Sequence, residues 1–75
     1  MTLHQLSIGD SAVVKNITDP NLAVMLNEYG ILPGSLITLA GKAPLGDPLC
    51  IQTPETQVSI RKGDAAQIWV EEISE

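Results

Sequence analysis

Cysteine, positive charge and long apolar runs are all scarce in this chain. Its 75 residues include one cysteine, Cys50, which excludes an internal disulfide and a zinc site of several thiolates within one chain. No stretch approaches the roughly 18 apolar residues that a membrane span needs. Residues 1–9 lack the basic residues and the cleavage site of a secretory signal. We therefore expect a protein of the reducing cytoplasm that does not insert into a membrane.

Basic residues are outnumbered: four Lys and Arg stand against nine Asp and Glu, for a formal net charge of -5. A nucleic-acid backbone would be repelled by this charge, so nucleic acid is not an expected partner. The length, with 44% hydrophobic and 17% charged residues, predicts a single domain over residues 1–75. A domain of this size is too small for most deep catalytic clefts.

Signals for catalysis or metal binding are weak. The one histidine, His4, lies in a terminal segment far in sequence from Cys50, and the carboxylates are scattered without a spaced pair. The phosphate-binding pattern GxxxxGK[ST] is absent from the sequence. No basic residue adjoins Cys50 to activate its thiol. We therefore predict no enzyme activity, no cofactor and no metal site.

Five short segments rich in β-branched or alternating apolar residues predict strands. They are Ser11–Ile17, Leu36–Ala40, Leu49–Thr53, Gln57–Arg61 and Gln67–Glu72. The stretch 41–48 contains two glycines and two prolines and predicts a structured loop, and residues 62–65 predict one turn of 3₁₀ helix. Alternation places Ala66, Ile68 and Val70 on one face of the last strand and Trp69 on the other.

One helix is predicted between the first two strands. Asp19 and Pro20 are typical of a helix start, and Gly30 is typical of the residue after a helix end. An apolar stripe along the helix predicts its buried face. The stripe consists of Leu22, Met25, Leu26 and Tyr29. One inserted helix and five short strands predict a mainly β fold, a small five-stranded SH3-like barrel.

The order of several short motifs along the chain resembles the FeoA family. These motifs are LNEYGI at 26–31, Pro33-Gly34, APLGDP at 43–48, Ile60-Arg61-Lys62 and DAAQI at 64–68. The resemblance implies an SH3-like fold and an accessory role in bacterial ferrous iron uptake beside FeoB, a membrane transporter with a cytosolic GTPase domain. A similar domain ends some DtxR-type iron-dependent repressors, so a metal-responsive regulatory domain is the alternative. The chain departs from the family pattern at Met25, where many relatives carry a basic residue, and at Pro54-Glu55-Thr56.

Two outward apolar residues are the leading candidates for partner contact. Leu45 lies in a proline-restricted loop where polar residues are usual, although it could instead fold over an end of the barrel. Trp69 faces away from the predicted core, although it could pack on the helix or the N-terminal segment. Asp47 is expected to bond nearby amides. The predicted partner-binding set is Pro44, Leu45, Gly46, Asp47, Trp69 and Met25. Self-association through an edge strand or Trp69 is left open.

Overall fold

A computed structural model describes residues 1–73, which form an antiparallel sheet with a helix inserted after its first strand. The elements are β1 (Ser11–Ile17), α1 (Pro20–Glu28), β2 (Leu36–Lys42), β3 (Leu49–Gln52), β4 (Gln57–Ile60), α2 (Lys62–Ala65) and β5 (Ile68–Glu72). A short 3₁₀ turn spans Leu3–Gln5, and residues 44–46 form a tight turn that is not helical at Leu45. The strand order is β4-β3-β2-β1-β5. The predicted mainly β, five-stranded architecture with an inserted helix is confirmed.

Alternating residues of all five strands are buried in one core. Each strand contributes two of them: Ala12, Val14, Ile37, Leu39, Leu49, Ile51, Val58, Ile60, Ile68 and Val70. Leu3 and Leu6 of the N-terminal segment and Leu22 and Leu26 of α1 belong to the same cluster. Because every strand turns its apolar face to one cluster, the sheet curls around the core.

The helix begins where the sequence predicts. Oδ1 of Asp19 accepts hydrogen bonds from the backbone N–H groups of Asn21 (2.9 Å) and Leu22 (3.5 Å), and Pro20 is the first helical residue. Gly30, with φ +80°, follows the helix end.

The predicted buried stripe of α1 is half wrong. Leu22 and Leu26 are buried, but Met25 is 41% and Tyr29 52% exposed. The helix is short, and only the face that carries Leu22 and Leu26, which are four residues apart, packs on the core. Ile31 takes the core position beyond the helix end, where its N–H donates to the Leu26 carbonyl at 2.9 Å.

Four strand boundaries differ from prediction: β2 ends two residues later, β3 and β4 each end one residue earlier, and β5 begins one residue later. The structure extends β2 to Lys42 instead of ending it at Ala40, because a register shift between Leu39 and Gly41 lets the strand continue to pair with β3. At the other end of the chain, Ala66 has helical angles (φ -67°, ψ -14°) and follows α2. It therefore does not share a strand face with Ile68 and Val70. The segment 62–65 is a single α-helical turn where 3₁₀ was predicted.

The N-terminal segment lies along the outer edge of β5. The carbonyl of Met1 accepts a hydrogen bond from the Val70 N–H at 2.9 Å, and Thr2 forms an isolated bridge with Trp69. This segment therefore occupies part of the edge that β5 offers for pairing. The opposite edge of the sheet is β4.

Candidate functional site

The loop of residues 43–48 between β2 and β3, here named the Leu45 loop, presents its leucine to solvent. The Leu45 side chain is fully exposed (102%). The Gly46 N–H donates to the Ala43 carbonyl at 2.8 Å, and the Ala43 N–H donates to the Pro48 carbonyl at 2.9 Å. These two bonds close a compact turn under the leucine. The alternative that Leu45 folds over the end of the barrel is therefore wrong.

The backbone of Leu45 has an uncommon conformation. Its angles are φ +71° and ψ 7°, in the left-handed region that glycine adopts readily and leucine does not. For an L-residue with a side chain this conformation costs about 1–2 kcal/mol. An unfavourable backbone conformation that places a large apolar side chain in water motivates a functional hypothesis for this loop.

Asp47 ties the Leu45 loop to the segment before β5. Its Oδ1 accepts a hydrogen bond from the backbone N–H of Lys62, the first residue of α2, at 3.0 Å. The sequence predicts that Asp47 bonds amides nearby, and the structure places its amide partner 15 residues along the chain. Asp47 thus fixes the base of the loop that carries Leu45.

Trp69 and Met25 are both partly exposed, at 45% and 41%. Trp69 lies on β5 opposite Asn16 of β1, with Thr2 bridged to its other side. Within residues 1–73 no hydrogen bond or strand pairing joins Trp69 to Leu45. The structure therefore presents the predicted contact residues on separate elements: the Leu45 loop, the edge strand β5 and the helix α1.

A groove between the end of α1 and the β3–β4 turn escaped sequence analysis. One cavity of about 230 Å³ is lined by Tyr29, Gly30, Ser35, Leu36, Thr53, Pro54 and Glu55. A second of about 450 Å³ is lined by Asn27, Glu28, Tyr29, Gly30, Glu55 and Thr56. The shared residues Tyr29, Gly30 and Glu55 join the two cavities into one depression, the Tyr29 groove. The sequence carries no signal for this groove, because the apolar stripe of α1 predicts Tyr29 as buried and the structure leaves it 52% exposed.

An ion pair crosses the outer face of β1 and β5. Lys15 Nζ lies 2.9 Å from a carboxylate oxygen of Glu71, and both side chains are exposed. The hydrogen bond and the positive charge of Lys15 lower the pKa of the Glu71 carboxyl below its ordinary value. Glu71 lies two residues along β5 from Trp69, on the same face of the strand.

Metal ligands are dispersed in the described chain. Residues 1–73 bring together no group of three or more His, Cys, Asp or Glu side chains that could hold a metal ion. His4 Nδ1 lies 2.8 Å from Thr2 Oγ1, so this ring nitrogen has a local hydrogen-bond partner. Cys50 is half-buried as a free thiol. Neither helix in residues 1–73 is long and apolar enough to cross a membrane.

Comparison with known proteins places the chain in a family. A model of the FeoA domain matches residues 1–72. The Fe(2+) transport protein A/Fe(2+) transporter FeoB fusion protein of Porphyromonas gingivalis is 37% identical over 75 residues, which are 99% of this chain and 9% of that protein. The chain therefore spans about a tenth of the length of this relative.

Solved structures share the fold. The crystal structure of Stenotrophomonas maltophilia FeoA complexed with zinc, described as an SH3 domain protein, is 32% identical, with a TM-score of 0.81 and coverage of 95% of this chain and 89% of that one. A manganese-dependent transcriptional repressor has a TM-score of 0.85 at 20% identity, covering 97% of this chain and 41% of that one, which is a likeness of fold alone. The chain belongs to the FeoA family, and its curled five-stranded sheet is the SH3-like fold of that family.

Proposed function

We propose that residues 1–75 act as one domain, a cytoplasmic accessory protein of bacterial ferrous iron uptake that docks on a FeoB-type transporter and modulates it without being an enzyme. Membership of the FeoA family supports this role. So does the Porphyromonas gingivalis relative, in which a protein like this one and a FeoB transporter form one chain. Fusion holds two proteins at high effective concentration, which favours contacts between them.

The exposed Leu45 side chain is the observation that carries the docking proposal. Removing a leucine side chain of this exposure from water contributes about 1.5–3 kcal/mol to association. The hydrogen bonds within the loop, and the one that the Lys62 N–H donates to Asp47, hold the loop backbone in shape before contact. Such preorganisation lowers the entropy lost on binding. Pro44, Gly46 and Asp47 act in this proposal by shaping the loop.

Modulation follows from differential affinity. If the domain binds one nucleotide state of the transporter more tightly than another, it shifts the transporter toward that state, and the nucleotide changes the affinity for the domain by the same factor. The partly exposed Trp69 and Met25 widen the contact in this proposal.

The test is an NMR titration of the ¹⁵N-labelled protein with its cognate FeoB-type transporter in detergent, with and without guanine nucleotide. We expect signals of residues 43–48 to shift or broaden, with a dependence on nucleotide. Leu45→Ala should weaken binding about tenfold, the equivalent of about 1.4 kcal/mol. The matched control is Ile8→Ala, which shortens another exposed apolar side chain (61%) and should leave binding unchanged.

Two results would contradict the proposal at different levels. The absence of any shift at a high transporter concentration would refute docking and would favour the regulatory-domain alternative, which rests on a shared fold with the repressor. Equal affinity of Leu45→Ala and the unaltered protein would show that docking uses another surface than Leu45.

A further inference from the structure

The two edges of the sheet differ in how they are covered. The outer edge of β5 carries the hydrogen bond between Met1 and Val70 and the bridge between Thr2 and Trp69, and β5 ends in two glutamates. The other edge is β4, which within residues 1–73 pairs with β3 alone. β4 contains neither proline nor a charged residue, the features that commonly keep an edge strand from pairing. β4 is therefore the edge that is open to another strand.

The backbone groups of Gln57 and Ser59 point away from β3. In an antiparallel pair, positions that exchange hydrogen bonds alternate with positions whose N–H and C=O groups point outward. Thr53 and Thr56 form a bonded position, because the Thr53 N–H donates to the Thr56 carbonyl at 2.8 Å. The register from there makes Gln57 and Ser59 outward positions and makes Val58, between them, a bonded one.

The other end of the hairpin gives the same alternation. The Ala43 N–H donates to the Pro48 carbonyl at 2.9 Å, which makes these residues a bonded position between the chain segments of β2 and β3. The next residue, Leu49, therefore turns its backbone groups away from β2 and toward Ile60 of β4. One position before Ile60, Ser59 again faces outward.

The outward N–H and C=O groups of Gln57 and Ser59 are four hydrogen-bonding groups on an exposed edge. Among residues 1–73 they receive one hydrogen bond, a long one of 3.4 Å that Thr56 Oγ1 donates to the Gln57 carbonyl. The side chains of Gln57 and Ser59 are exposed. Water therefore satisfies these groups in a single molecule, and a strand of another molecule can replace the water.

Opposite charges flank this edge. Glu55 lies two residues before the start of β4, and Arg61 directly follows its end; both side chains are exposed. Alternation keeps Arg61 on the face of Gln57 and Ser59. An antiparallel copy of the strand brings the acidic end of each copy to the basic end of the other, whereas a parallel copy aligns like charges. The edge is therefore complementary to itself in the antiparallel direction.

We propose that β4 pairs with β4 of a second copy of this chain, antiparallel and about a two-fold axis. Gln57 of each copy lies opposite Ser59 of the other and exchanges two backbone hydrogen bonds with it. Val58 of both copies lies at the axis, and Glu55 of each copy lies beside Arg61 of the other. The result is a closed dimer in which the two sheets join through their β4 edges.

The dimer is weak for two reasons. β4 is four residues long, so the contact contains few backbone hydrogen bonds. Two copies of charge -5 also repel each other. We therefore expect a dimer that forms at high protein concentration and dissociates on dilution. This inference goes beyond the proposed docking function and does not rest on it, because Leu45 takes no part in the contact.

The first experiment is a dilution series of the full chain followed by sedimentation velocity and amide hydrogen exchange. We expect a monomer–dimer equilibrium in which exchange of the Gln57 and Ser59 amides slows severalfold as the dimer forms, because a bonded amide exchanges after its contact opens. The amide of Val58, bonded to β3, is the internal reference and should be protected at every concentration. A protein that stays monomeric at the highest soluble concentration, or a dimer in which Gln57 and Ser59 exchange as fast as in the monomer, overturns the proposal.

The second experiment reverses the charges at the two ends of β4. In a dimer of Glu55→Lys each end of the contact joins two cations, and in a dimer of Arg61→Glu it joins two carboxylates. Each variant should weaken dimerisation at least about tenfold, the equivalent of about 1.4 kcal/mol. The matched controls Glu72→Lys and Lys42→Glu make the same changes of charge at exposed positions outside β4 and should retain the dimer. Spectra first establish that each variant is folded, and equal dimerisation of all five proteins overturns the proposal.

Mixing the two charge variants gives the decisive result. In a dimer of one Glu55→Lys chain and one Arg61→Glu chain, each end of the contact again joins one cation and one carboxylate. We expect the mixture to dimerise about as tightly as the unaltered protein, with slower exchange of Gln57 and Ser59 in a labelled variant once the other is added. A mixture that associates no more tightly than its components overturns the antiparallel contact.

The transporter titration distinguishes the second copy from a strand of the transporter as the occupant of this edge. Ser59→Pro removes one outward N–H without breaking a bond to β3, and it should lose the dimer but keep the transporter-induced shifts of residues 43–48. Failure of docking with an intact dimer, or the reverse, therefore separates the two proposals. Protection of Gln57 and Ser59 that requires the transporter, and is absent from the concentrated protein alone, overturns self-pairing.

Discussion

The carboxylate of Asp47 and the backbone N–H of Lys62 form a hydrogen bond of 3.0 Å that joins the β2–β3 loop to the start of α2. Replacing the acceptor in Asp47→Ala leaves this N–H to solvent, and because the site is exposed we expect a loss of about 0.5–1.5 kcal/mol in the free energy of unfolding. Denaturant titration at neutral pH measures it.

The same substitution should loosen the loop that presents Leu45. We expect the amide of Lys62 and the amides of residues 43–48 to exchange faster with solvent in Asp47→Ala. Asp47→Asn, which keeps an oxygen acceptor, is the control and should preserve most of the protection. Equal exchange in all three proteins would show that other contacts hold the loop.

Leu45→Gly should not destabilise the fold, although it removes a large apolar residue. Glycine adopts the left-handed backbone conformation without the cost of about 1–2 kcal/mol that leucine has there. Its greater freedom in the unfolded chain lowers the free energy of unfolding by about 0.4–1 kcal/mol. The full exposure of the side chain means that no core packing is lost. We therefore expect the free energy of unfolding to stay the same or rise by up to about 1.6 kcal/mol.

Leu45→Ala is the control for this stability measurement. Alanine keeps a Cβ in the left-handed region, so it should not show the gain. A loss of more than about 1 kcal/mol in Leu45→Gly would contradict the exposed position of the side chain.

The fold was predictable from local patterns because its strands each bury one face. Alternation in segments such as Leu49–Gln52 and Ile68–Glu72 directly reports that face. The β2 bulge was not predictable, since it depends on pairing with β3 and not on the strand's own residues.

The candidate site was predictable only in part. An apolar residue within APLGDP indicates an unusual loop, but the left-handed backbone of Leu45 has no sequence signal, because leucine disfavours it. The Tyr29 groove arises where Tyr29 meets Pro54 and Glu55, residues about 25 positions apart that the curl of the sheet brings together. The hydrophobic periodicity of a single segment cannot indicate a contact between such distant residues.

Three isoleucines should be essential to stability. Ile51 and Ile68 are 0% and Ile60 is 3% exposed in the common core. Each substitution to alanine should lower the free energy of unfolding by about 2–5 kcal/mol through lost burial and a residual cavity. The matched Ile→Val variants should lose about 0.5–1.5 kcal/mol. Thermal or denaturant unfolding tests this, and an alanine variant as stable as the unaltered protein would contradict the described core.

The Lys15–Glu71 pair should make stability depend on pH in the acid range. The lowered pKa of Glu71 in the folded state means that the ionised pair stabilises the fold above the unfolded carboxyl pKa of about 4.3, and the contribution disappears as pH falls through the lower folded value. Glu71→Gln should thus be less stable than the unaltered protein at neutral pH and equally stable in strong acid. Raising the salt concentration should shrink the difference, because both side chains are exposed.

Glu72→Gln is the control for that comparison. It removes a neighbouring carboxylate from the same strand without touching the pair. Urea titrations at several pH values give the three stability curves. A difference between Glu71→Gln and the unaltered protein that grows toward acid pH would have the wrong sign and would contradict the pair.

Trp69 should report on its own face of the protein, because it is the only tryptophan in the chain. At 45% exposure its emission should be that of a partly hydrated indole and should be quenched by acrylamide. If docking on the transporter covers β5 as well as the Leu45 loop, a tryptophan-free transporter variant should shift the emission to the blue and reduce quenching. Loop signals that move in NMR while the Trp69 emission stays constant would restrict the contact to the loop and remove Trp69 from the docking surface.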